Sequence, residues 1–258
     1  MAETQTLELQ IGEKRFCDRG LSRIVLKDIT VSLRSSARWG LMGASGIGKT
    51  TLFRILAGLD NDFEGSCTFY RNGTPSAPRL GFVFQDRRIF PWLTAEENIA
   101  LPLLSGPDRQ SAMVEAVNHS VVRSLVARLG LIDRRKGYPS QLSGGELARI
   151  AIGRALASNP NVLILDEPLS GLDRTAKLQL FELIESLQRE YGFLQILVSH
   201  QSDEVAALSD QVAVLHGSPA TLGPKVDLGL SGTRQWDDGN YPDVVKQLDR
   251  ECEMRVAN

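Results

Sequence analysis

Two glycine-rich stretches contain the residue types that bind phosphate. The first, GASGIGKT at 43–50, fits the pattern GxxxxGK[ST] and lies between a predicted strand and a predicted helix. In this pattern backbone N–H groups surround a phosphate chain, the lysine reaches the outer phosphates and the final hydroxyl holds Mg²⁺. The second, LSGGE at 142–146, begins another predicted helix, where N–H groups and the helix dipole attract anions. The sequence therefore predicts two phosphate sites in one chain.

The first stretch predicts a site for a nucleoside triphosphate with Mg²⁺. We expect Lys49 to contact the β and γ phosphates and Thr50 to contact the metal ion. The strand–loop–helix context argues against a glycine-rich turn without a ligand. The residues predicted to bind the nucleotide here are Gly43, Ala44, Ser45, Gly46, Ile47, Gly48, Lys49, Thr50 and Thr51.

An acidic pair supplies the chemistry for hydrolysis. VLILDE at 162–167 is an apolar run that ends in two carboxylates, as a buried parallel strand would. Alone, such a pair is more often solvated or capping. After a phosphate-binding loop, Asp166 is expected to hold the Mg²⁺ shell and Glu167 to polarise an attacking water.

Composition narrows the function classes. The chain has 258 residues, 42% of them hydrophobic and 23% charged, with a net charge of −2. This balance is that of a globular protein and lacks the basic excess of a nucleic-acid binder. Cys17, Cys67 and Cys252 lie far apart, which favours reduced thiols. The start of the chain lacks a secretory signal and no apolar run approaches ~20 residues, so we expect membrane association only through a partner.

The elements that must position these residues alternate between strand and helix, which predicts a largely parallel sheet. A helical region with an apolar stripe through 111–131 occupies about 95–158. Further helices are predicted at about 174–190, 202–209 and 241–253. The predicted strands are 6–11, 24–33, 66–70, 79–84, 162–166, 194–198 and 211–215.

The motifs, in this order, resemble the nucleotide-binding subunit of an ATP-binding cassette (ABC) transporter over about residues 5–220. LSGGE resembles the family signature LSGGQ, which closes over the γ-phosphate held by the other subunit. The resemblance implies an α/β fold: a P-loop NTPase core with a mainly parallel sheet, an N-terminal antiparallel β subdomain and an inserted helical subdomain. It implies a nucleotide-binding domain at 1–221, with the helical subdomain at about 95–158, and a short C-terminal extension at 222–258.

The resemblance assigns further residues to catalysis. Glu167 is the expected base, Gln85 resembles the Q-loop glutamine that contacts Mg²⁺ and the attacking water, and His200 resembles the switch histidine at the γ-phosphate. The implied metal-binding residues are Thr50, Gln85 and Asp166. His119 and His216 are interpreted as structural.

Other residues are implied to bind the nucleotide at its edges. Ser143, Gly144 and Gly145 would donate hydrogen bonds to a γ-phosphate bound by a second copy of the chain, and Asp173 resembles the D-loop aspartate at the dimer interface. Phe16 matches the aromatic residue that stacks on adenine, although a core position is the alternative.

Three positions depart from the family pattern. Glu146 replaces the usual signature glutamine, Ala148 replaces a common glutamine, and Gln201 replaces the aspartate that often follows the switch histidine. Glu146 places a negative charge near a triphosphate, and this charge would weaken closure unless the side chain points away or pairs with a base. Arg149 and Arg154 are the candidates for that base.

The segment RRIFPWLTAEENIALPL at 87–103 resembles that of importers in the nitrate/sulfonate/taurine group. The resemblance implies an ATPase that binds ATP and Mg²⁺, pairs with a second copy, and works with transmembrane permease subunits at the cytoplasmic face of the inner membrane. It allows an extracytoplasmic solute-binding protein that acts through the permease, and it implies no nucleic acid. Trp92 is expected either near the groove for the permease or in internal packing.

Two alternatives stay open at this point. A lipoprotein- or macrolide-type export or extraction system shows a similar FVFQ…LT…ENIALPL pattern. A soluble ABC ATPase outside transport is the other alternative, although such proteins usually carry two cassettes, a coiled-coil insertion or zinc cysteines.

Overall fold

The computed structural model describes residues 5–18, 21–105, 108–228 and 241–256. It divides the chain into two compact units, one formed by Met1–Pro78 with Leu194–Asn258 and the other by Arg79–Phe193. The strands are β1 (Gln5–Asp18), β2 (Leu21–Arg34), β3 (Arg38–Gly43), β4 (Glu64–Arg71), β5 (Thr74–Ser76), β6 (Leu80–Val83), β7 (Val162–Asp166), β8 (Leu194–Val198), β9 (Gln211–His216), β10 (Thr221–Leu222) and β11 (Val226–Asp227). The α-helices are α1 (Lys49–Leu56), α2 (Ala95–Ala100), α3 (Arg109–Asn118), α4 (Ser120–Arg128), α5 (Gly144–Ala157), α6 (Arg174–Tyr191), α7 (Ser202–Leu208) and α8 (Tyr241–Val256).

An antiparallel sheet of four strands forms the N-terminal part of the first unit, in the order β2-β1-β4-β5. Alternate residues of β1 and β2 are buried, as their period-two pattern predicts. Strand β1 extends to Asp18, well beyond the predicted 6–11, because its outer half pairs with β2 without an apolar alternation. The buried apolar residues of the two strands are Leu7, Leu9, Ile11, Leu26, Ile29, Val31 and Leu33.

Parallel strands form the second layer of the first unit. Every residue of β3 is buried, and β8 and β9 pair with it on either side in parallel register. A continuous apolar run suits such a strand because both of its faces are covered. Helices α1 and α7 pack on β3, and α8 packs on α7 and β9.

The second unit contains the parallel pair β6 and β7 and the helices α2 to α6. The apolar stripe through 111–131 predicts one continuous surface, but the structure divides it into α3 and α4. His119 lies at the break, where its Nδ1 accepts a hydrogen bond from the N–H of Val121 at 3.3 Å and caps α4. This contact agrees with a structural role for His119.

These elements confirm the predicted α/β class with an N-terminal antiparallel sheet and a helical region within 95–158. The domain boundaries at 221/222 and at 95–158 stay predictions. In the part of the chain that the structure describes, no helix has both the length and the apolar character needed to cross a bilayer.

Strand β6 lies directly against the backbone of α5 at Gly81. A Cβ atom added to Gly81 would approach the carbonyl oxygen of Ala155 to 2.7 Å, and a backbone atom cannot move aside alone. We expect Gly81→Ala to lower the free energy of unfolding by about 1–3 kcal/mol, as overpacking does. Chemical denaturation measures the change.

The matched control is Gly12→Ala, because Gly12 also lies in a strand but its added Cβ would meet its nearest atom at an ordinary 3.5 Å. We expect its effect to stay within about 0.5 kcal/mol. Equal stability of the Gly81 variant and the parent chain would contradict the close approach of β6 and α5.

Candidate functional site

The phosphate-binding loop connects β3 to α1 in the first unit. Gly43 has φ 152°, and a Cβ atom there would lie 2.7 Å from the carbonyl oxygen of Leu215. Gly48, the residue before α1, has φ 117°. A Cβ atom there would lie 3.0 Å from the side chain of Leu26 and 3.2 Å from that of Val25. Both positions therefore require glycine, for backbone conformation and for space. The motif glycines shape a loop that ends at a helix N-terminus.

Lys49 lies along this loop. Its ammonium donates hydrogen bonds to the carbonyl oxygens of Gly43 at 2.8 Å and Ala44 at 2.9 Å. The positive charge is thereby held where the first N–H groups of α1 point outward. A lysine, a helix dipole and glycine-rich backbone together suit a polyanion such as a phosphate chain.

A cavity of about 370 Å³ in the first unit joins this loop to the outer end of β1. Phe16 is 46% exposed and borders the cavity, so it is not a core residue. The ammonium of Lys14 lies 4.7 Å from the centroid of the Phe16 ring and also binds Asp60 at 2.9 Å. The other lining residues are Arg23, Ile24, Val25, Ser45, Gly46, Ile47, Gly48, Thr51, Gly217, Ser218, Pro219 and Ala220.

Two cations near Phe16 were not predicted from the sequence. Arg23 is the direct cross-strand partner of Phe16 and lines the cavity beside the loop. Lys14 is nearly fully buried, and it fixes the position of the Phe16 ring through its contact with Asp60. No motif marks either residue: Arg23 reaches the cavity through the register of β1 on β2, and Lys14 contacts Phe16 from the same strand.

His200 lies at the same sheet edge as the phosphate-binding loop. Leu41 in β3 pairs with Val198 in β8, and the next N–H along, that of Ser199, donates to the carbonyl of Leu41 at 3.2 Å. The hydroxyl of buried Ser199 donates to buried Glu204 at 2.8 Å. These contacts fix the short turn that carries exposed His200 between β8 and α7.

The second unit brings Gln85 and Glu167 together. Strands β6 and β7 pair in parallel with Val83 opposite Leu165, so two residues further on Gln85 stands opposite Glu167. The Gln85 amide donates to a Glu167 carboxylate oxygen at 2.8 Å. Glu167 has φ 45°, a left-handed backbone that is uncommon for a residue with a side chain. The contact orients the carboxylate at the sheet edge.

Asp166 ends β7 one residue before Glu167. Together with the Gln85 amide it offers oxygen ligands, which Mg²⁺ prefers. Within the described ranges no group of three or more His, Cys, Asp or Glu side chains is arranged to hold a metal ion. The Asp166 carboxylate and the Gln85 amide oxygen are ligands of the type that Mg²⁺ takes.

Residues 170–173 lie next to the start of α5. The guanidinium of Arg87 donates to the carbonyl of Ser170 at 2.8 Å, and a Cβ atom on Gly144 would lie 3.3 Å from Leu172. Asp173 caps α6 by accepting a hydrogen bond from the N–H of Ala176 at 2.9 Å. The predicted D-loop is therefore packed against the predicted signature.

The signature begins α5 with a reciprocal cap. Ser143 is the N-cap residue, and its Oγ accepts from the N–H of Glu146 at 3.2 Å. In return the Glu146 carboxylate accepts from the N–H of Ser143 at 2.8 Å and from its hydroxyl at 2.9 Å. The spacing S-x-x-E at 143–146 is the sequence signal of this capping box, and it could have predicted these contacts.

Arg134 is the base that pairs with Glu146, at 3.3 Å. The expectation that Arg149 or Arg154 pairs directly with Glu146 is wrong. Arg149 donates instead to Leu129 and Gln179, and Arg154 donates to the carbonyl oxygens of Arg87 and Arg88. Hydrogen bonds from the Ser143 backbone and hydroxyl, with the charges of Arg134 and Arg149, lower the pKa of the Glu146 carboxyl against the opposing effect of burial.

Arg154 fixes the segment that follows Gln85. Its guanidinium donates to the carbonyl oxygens of Arg87 and Arg88, both at 2.7 Å, and lies 5.8 Å from the centroid of the Phe90 ring. Burial, followed by the nearby Arg88 charge, lowers the pKa of Arg154. Arg154 borders an apolar groove of about 540 Å³ with Phe82, Phe84, Phe90, Leu101 and Pro102.

Two cysteines, Cys17 and Cys67, are described, and neither lines the cavity at the phosphate-binding loop. Cys17 is exposed, Cys67 is half-buried, and both are free thiols. Burial raises the pKa of the Cys67 thiol, which keeps it protonated. The side chain of Cys252 lies outside the described residues.

The predicted site residues thus fall into two sets. The first unit carries the phosphate-binding loop, Phe16 and His200. The second carries Gln85, Asp166, Glu167, the signature at 143–145 and Asp173. The role of each residue stays a prediction, whereas the contact between Gln85 and Glu167 is direct.

Known proteins that are similar to this chain are ATP-binding proteins of transporters. Residues 26–170 match the ABC transporter family. The aliphatic sulfonates import ATP-binding protein SsuB 1 of Xanthomonas axonopodis pv. citri (strain 306) is 40% identical, with 84% of this chain and 83% of that protein covered. The protein named SsuB in Bacillus subtilis (strain 168) is 36% identical, with 95% and 93% covered.

Two solved structures of the cassette MJ0796 share the fold. One is a dimer in a post-hydrolysis state bound to ADP and Pi, with a TM-score of 0.69, and the other is described as a dimeric bacterial ABC transporter cassette, with a TM-score of 0.70. Each is 25% identical and covers 86% of this chain and 98% of its own. The chain therefore belongs to the ABC transporter family, as an ATP-binding subunit that hydrolyses ATP.

Proposed function

We propose that this subunit powers the import of small sulfonates, as a homodimer bound to membrane permease subunits. The relatives with 32–40% identity that are named aliphatic sulfonates import proteins support this substrate class. The hydrogen bond between Gln85 and Glu167, at the ends of two parallel strands, is the observation that supports the proposed mechanism of hydrolysis.

ATP binds with its phosphates on the loop at 43–51 and its adenine on Phe16. The exposed Phe16 ring, fixed by Lys14, supplies an aromatic face at the cavity border. Arg23 adds a cation at the same border. Stacking and charge attraction there complement the backbone N–H groups of the loop.

Glu167 acts as the general base for the attacking water. Its carboxylate is oriented by Gln85, and His200 stands at the edge of the sheet in the first unit, where it contacts the γ-phosphate. Mg²⁺, when bound, neutralises the charge that develops on the phosphates. Thr50, Gln85 and Asp166 are the residues that would hold it, and all three offer oxygen atoms, as the hard cation requires.

A second copy of the chain completes each nucleotide site. Ser143, Gly144 and Gly145 begin α5, whose N-terminus favours the γ-phosphate bound by the other copy, and Asp173 lies in the adjacent loop. The dimeric cassettes of the same fold support this assembly. Two identical copies form two equivalent sites under twofold symmetry.

The groove beside Arg154 receives a segment of the permease. Trp92 is 68% exposed and contacts Phe90 edge-to-face, with ring centroids 5.5 Å apart, and this exposure favours a surface role over internal packing. Exposed aromatic rings beside arginines are typical of interface centres. The subunit then lies at the cytoplasmic face of the membrane, and an extracytoplasmic solute-binding protein acts through the permease.

Glu167→Gln should retain ATP binding but reduce turnover by about 10²–10⁴-fold, because the amide cannot accept the proton of the attacking water. It should also accumulate an ATP-bound dimer. Phosphate release and sedimentation in the presence of ATP measure the two effects. The control is Glu182→Gln, an exposed glutamate of α6. Turnover at the parent rate in the Glu167 variant would refute the assignment of the base.

Phe16→Ala should raise the Kd for ATP by about 5- to 150-fold, the range expected when an aromatic ring that stacks on a base is removed. Phe16→Trp should retain affinity. Leu21→Ala is the control, because Leu21 is an exposed apolar residue of the same two strands. An unchanged Kd in the alanine variant would remove Phe16 from the site.

Trp92→Ala should reduce the amount of permease that co-purifies with the subunit from membranes, without changing its ATP turnover in isolation. Val114→Ala, an exposed apolar residue of α3, is the control. Recovery of the chain without any membrane protein, for the parent as for the variants, would favour an ABC ATPase outside transport.

A further inference from the structure

The hydroxyl of the signature serine, Ser143, can donate one hydrogen bond, and in this structure the Glu146 carboxylate accepts it. The Ser143 hydroxyl donates to the Glu146 carboxylate at 2.9 Å, while Ser143 Oγ accepts from the N–H of Glu146. The backbone N–H of Ser143 also donates to the same carboxylate oxygen, at 2.8 Å. A hydroxyl donates one hydrogen bond at a time. While this hydrogen bond to Glu146 is made, the Ser143 hydroxyl therefore cannot donate to a phosphate.

The contact that competes with the phosphate is charged. A hydrogen bond to a carboxylate is roughly twice as strong as one to a neutral amide oxygen. The carboxylate also repels a triphosphate that approaches the N-terminus of α5. A glutamine at 146 preserves the capping-box pattern without either effect, since S-x-x-Q caps a helix as S-x-x-E does.

Arg134 limits this repulsion. Its guanidinium lies 3.3 Å from the Glu146 oxygen that is not bound to Ser143, so it anchors and partly neutralises the carboxylate. Both side chains are partly exposed, which makes the pair a modest contributor to folding. The pair also reduces the negative charge beside the signature, and this effect does not depend on how much the pair stabilises the fold.

We propose that Glu146 is a positioning residue that holds the Ser143 hydroxyl in the helix cap and releases it only when a γ-phosphate binds. This inference rests on the proposed ATP-bound dimer. Each closure event exchanges a charged hydrogen bond within the chain for one to the nucleotide of the other copy. Glu146 thereby raises the ATP concentration that closes the dimer, and Arg134 moderates the increase.

The test measures dimer formation against ATP concentration by sedimentation, with Glu167→Gln in every chain to prevent hydrolysis. Adding Glu146→Gln should lower the ATP concentration for half-maximal dimerisation by about three- to tenfold, as expected from a charged against a neutral hydrogen bond. Adding Arg134→Gln should raise that concentration about two- to fivefold, the range of a partly exposed ion pair. The Arg134 effect should vanish in the chain that also carries Glu146→Gln.

ADP binding separates positioning from a purely structural role. ADP lacks the γ-phosphate, so its Kd should be the same in all chains, and thermal unfolding should show that Glu146→Gln retains the fold. Equal ATP dependence with and without Glu146→Gln would overturn this inference alone. An Arg134 effect of equal size in both backgrounds would also contradict it. Failure of every chain to dimerise at any ATP concentration would refute the proposed dimer and this inference with it.

Discussion

The parallel register of neighbouring strands is the constraint on which the site depends. Parallel strands end at the same edge of a sheet, so residues that follow them at equal distances meet. The pairing of β6 with β7 brings Gln85 opposite Glu167, and the pairing of β3 with β8 brings the phosphate-binding loop and His200 to one edge. A shift of one residue in either pair would separate these groups. The chemistry therefore depends on buried apolar residues that contact no nucleotide.

The signature helix combines two uses of one N-terminus. A helix start attracts anions, and a capping box satisfies that start with the carboxylate of the chain itself. In this protein Glu146 occupies part of the region that an external phosphate would use, and Arg134 adjusts its charge. In the proposed dimer, helix capping and phosphate binding therefore compete for the hydroxyl of Ser143.

The sequence predicts the chemistry of the site better than it predicts the contacts between side chains. The spacing of the phosphate loop and the acidic pair after an apolar strand predict nucleotide hydrolysis, and the resemblance of LSGGE and the later motifs to the ABC family is confirmed as family membership. The contact of Glu146 with Ser143 could also be predicted from the sequence, because S-x-x-E is itself a capping signal. The pairing of Glu146 with Arg134 could not be predicted, since Arg134 ends a short 3-10 helix, Ile132–Arg134, that no periodic pattern marks. To predict that Lys14 and Arg23 lie beside Phe16 requires the arrangement of the strands, which a single sequence leaves undetermined.

The two hydrogen bonds of Arg154 have a mechanical consequence. Arg87 and Arg88 have φ 55° and 45°, so two consecutive residues with side chains adopt a left-handed backbone that costs roughly 1 kcal/mol or more for each. Their carbonyl oxygens are bound by a side chain of α5, the helix that begins at the signature. The Arg154 guanidinium therefore ties this segment directly to α5 and holds it in its left-handed backbone. Because Ala155 of the same helix lies against Gly81 of β6, a displacement of the segment 87–88 would have to shift α5 against a strand that leaves it no room.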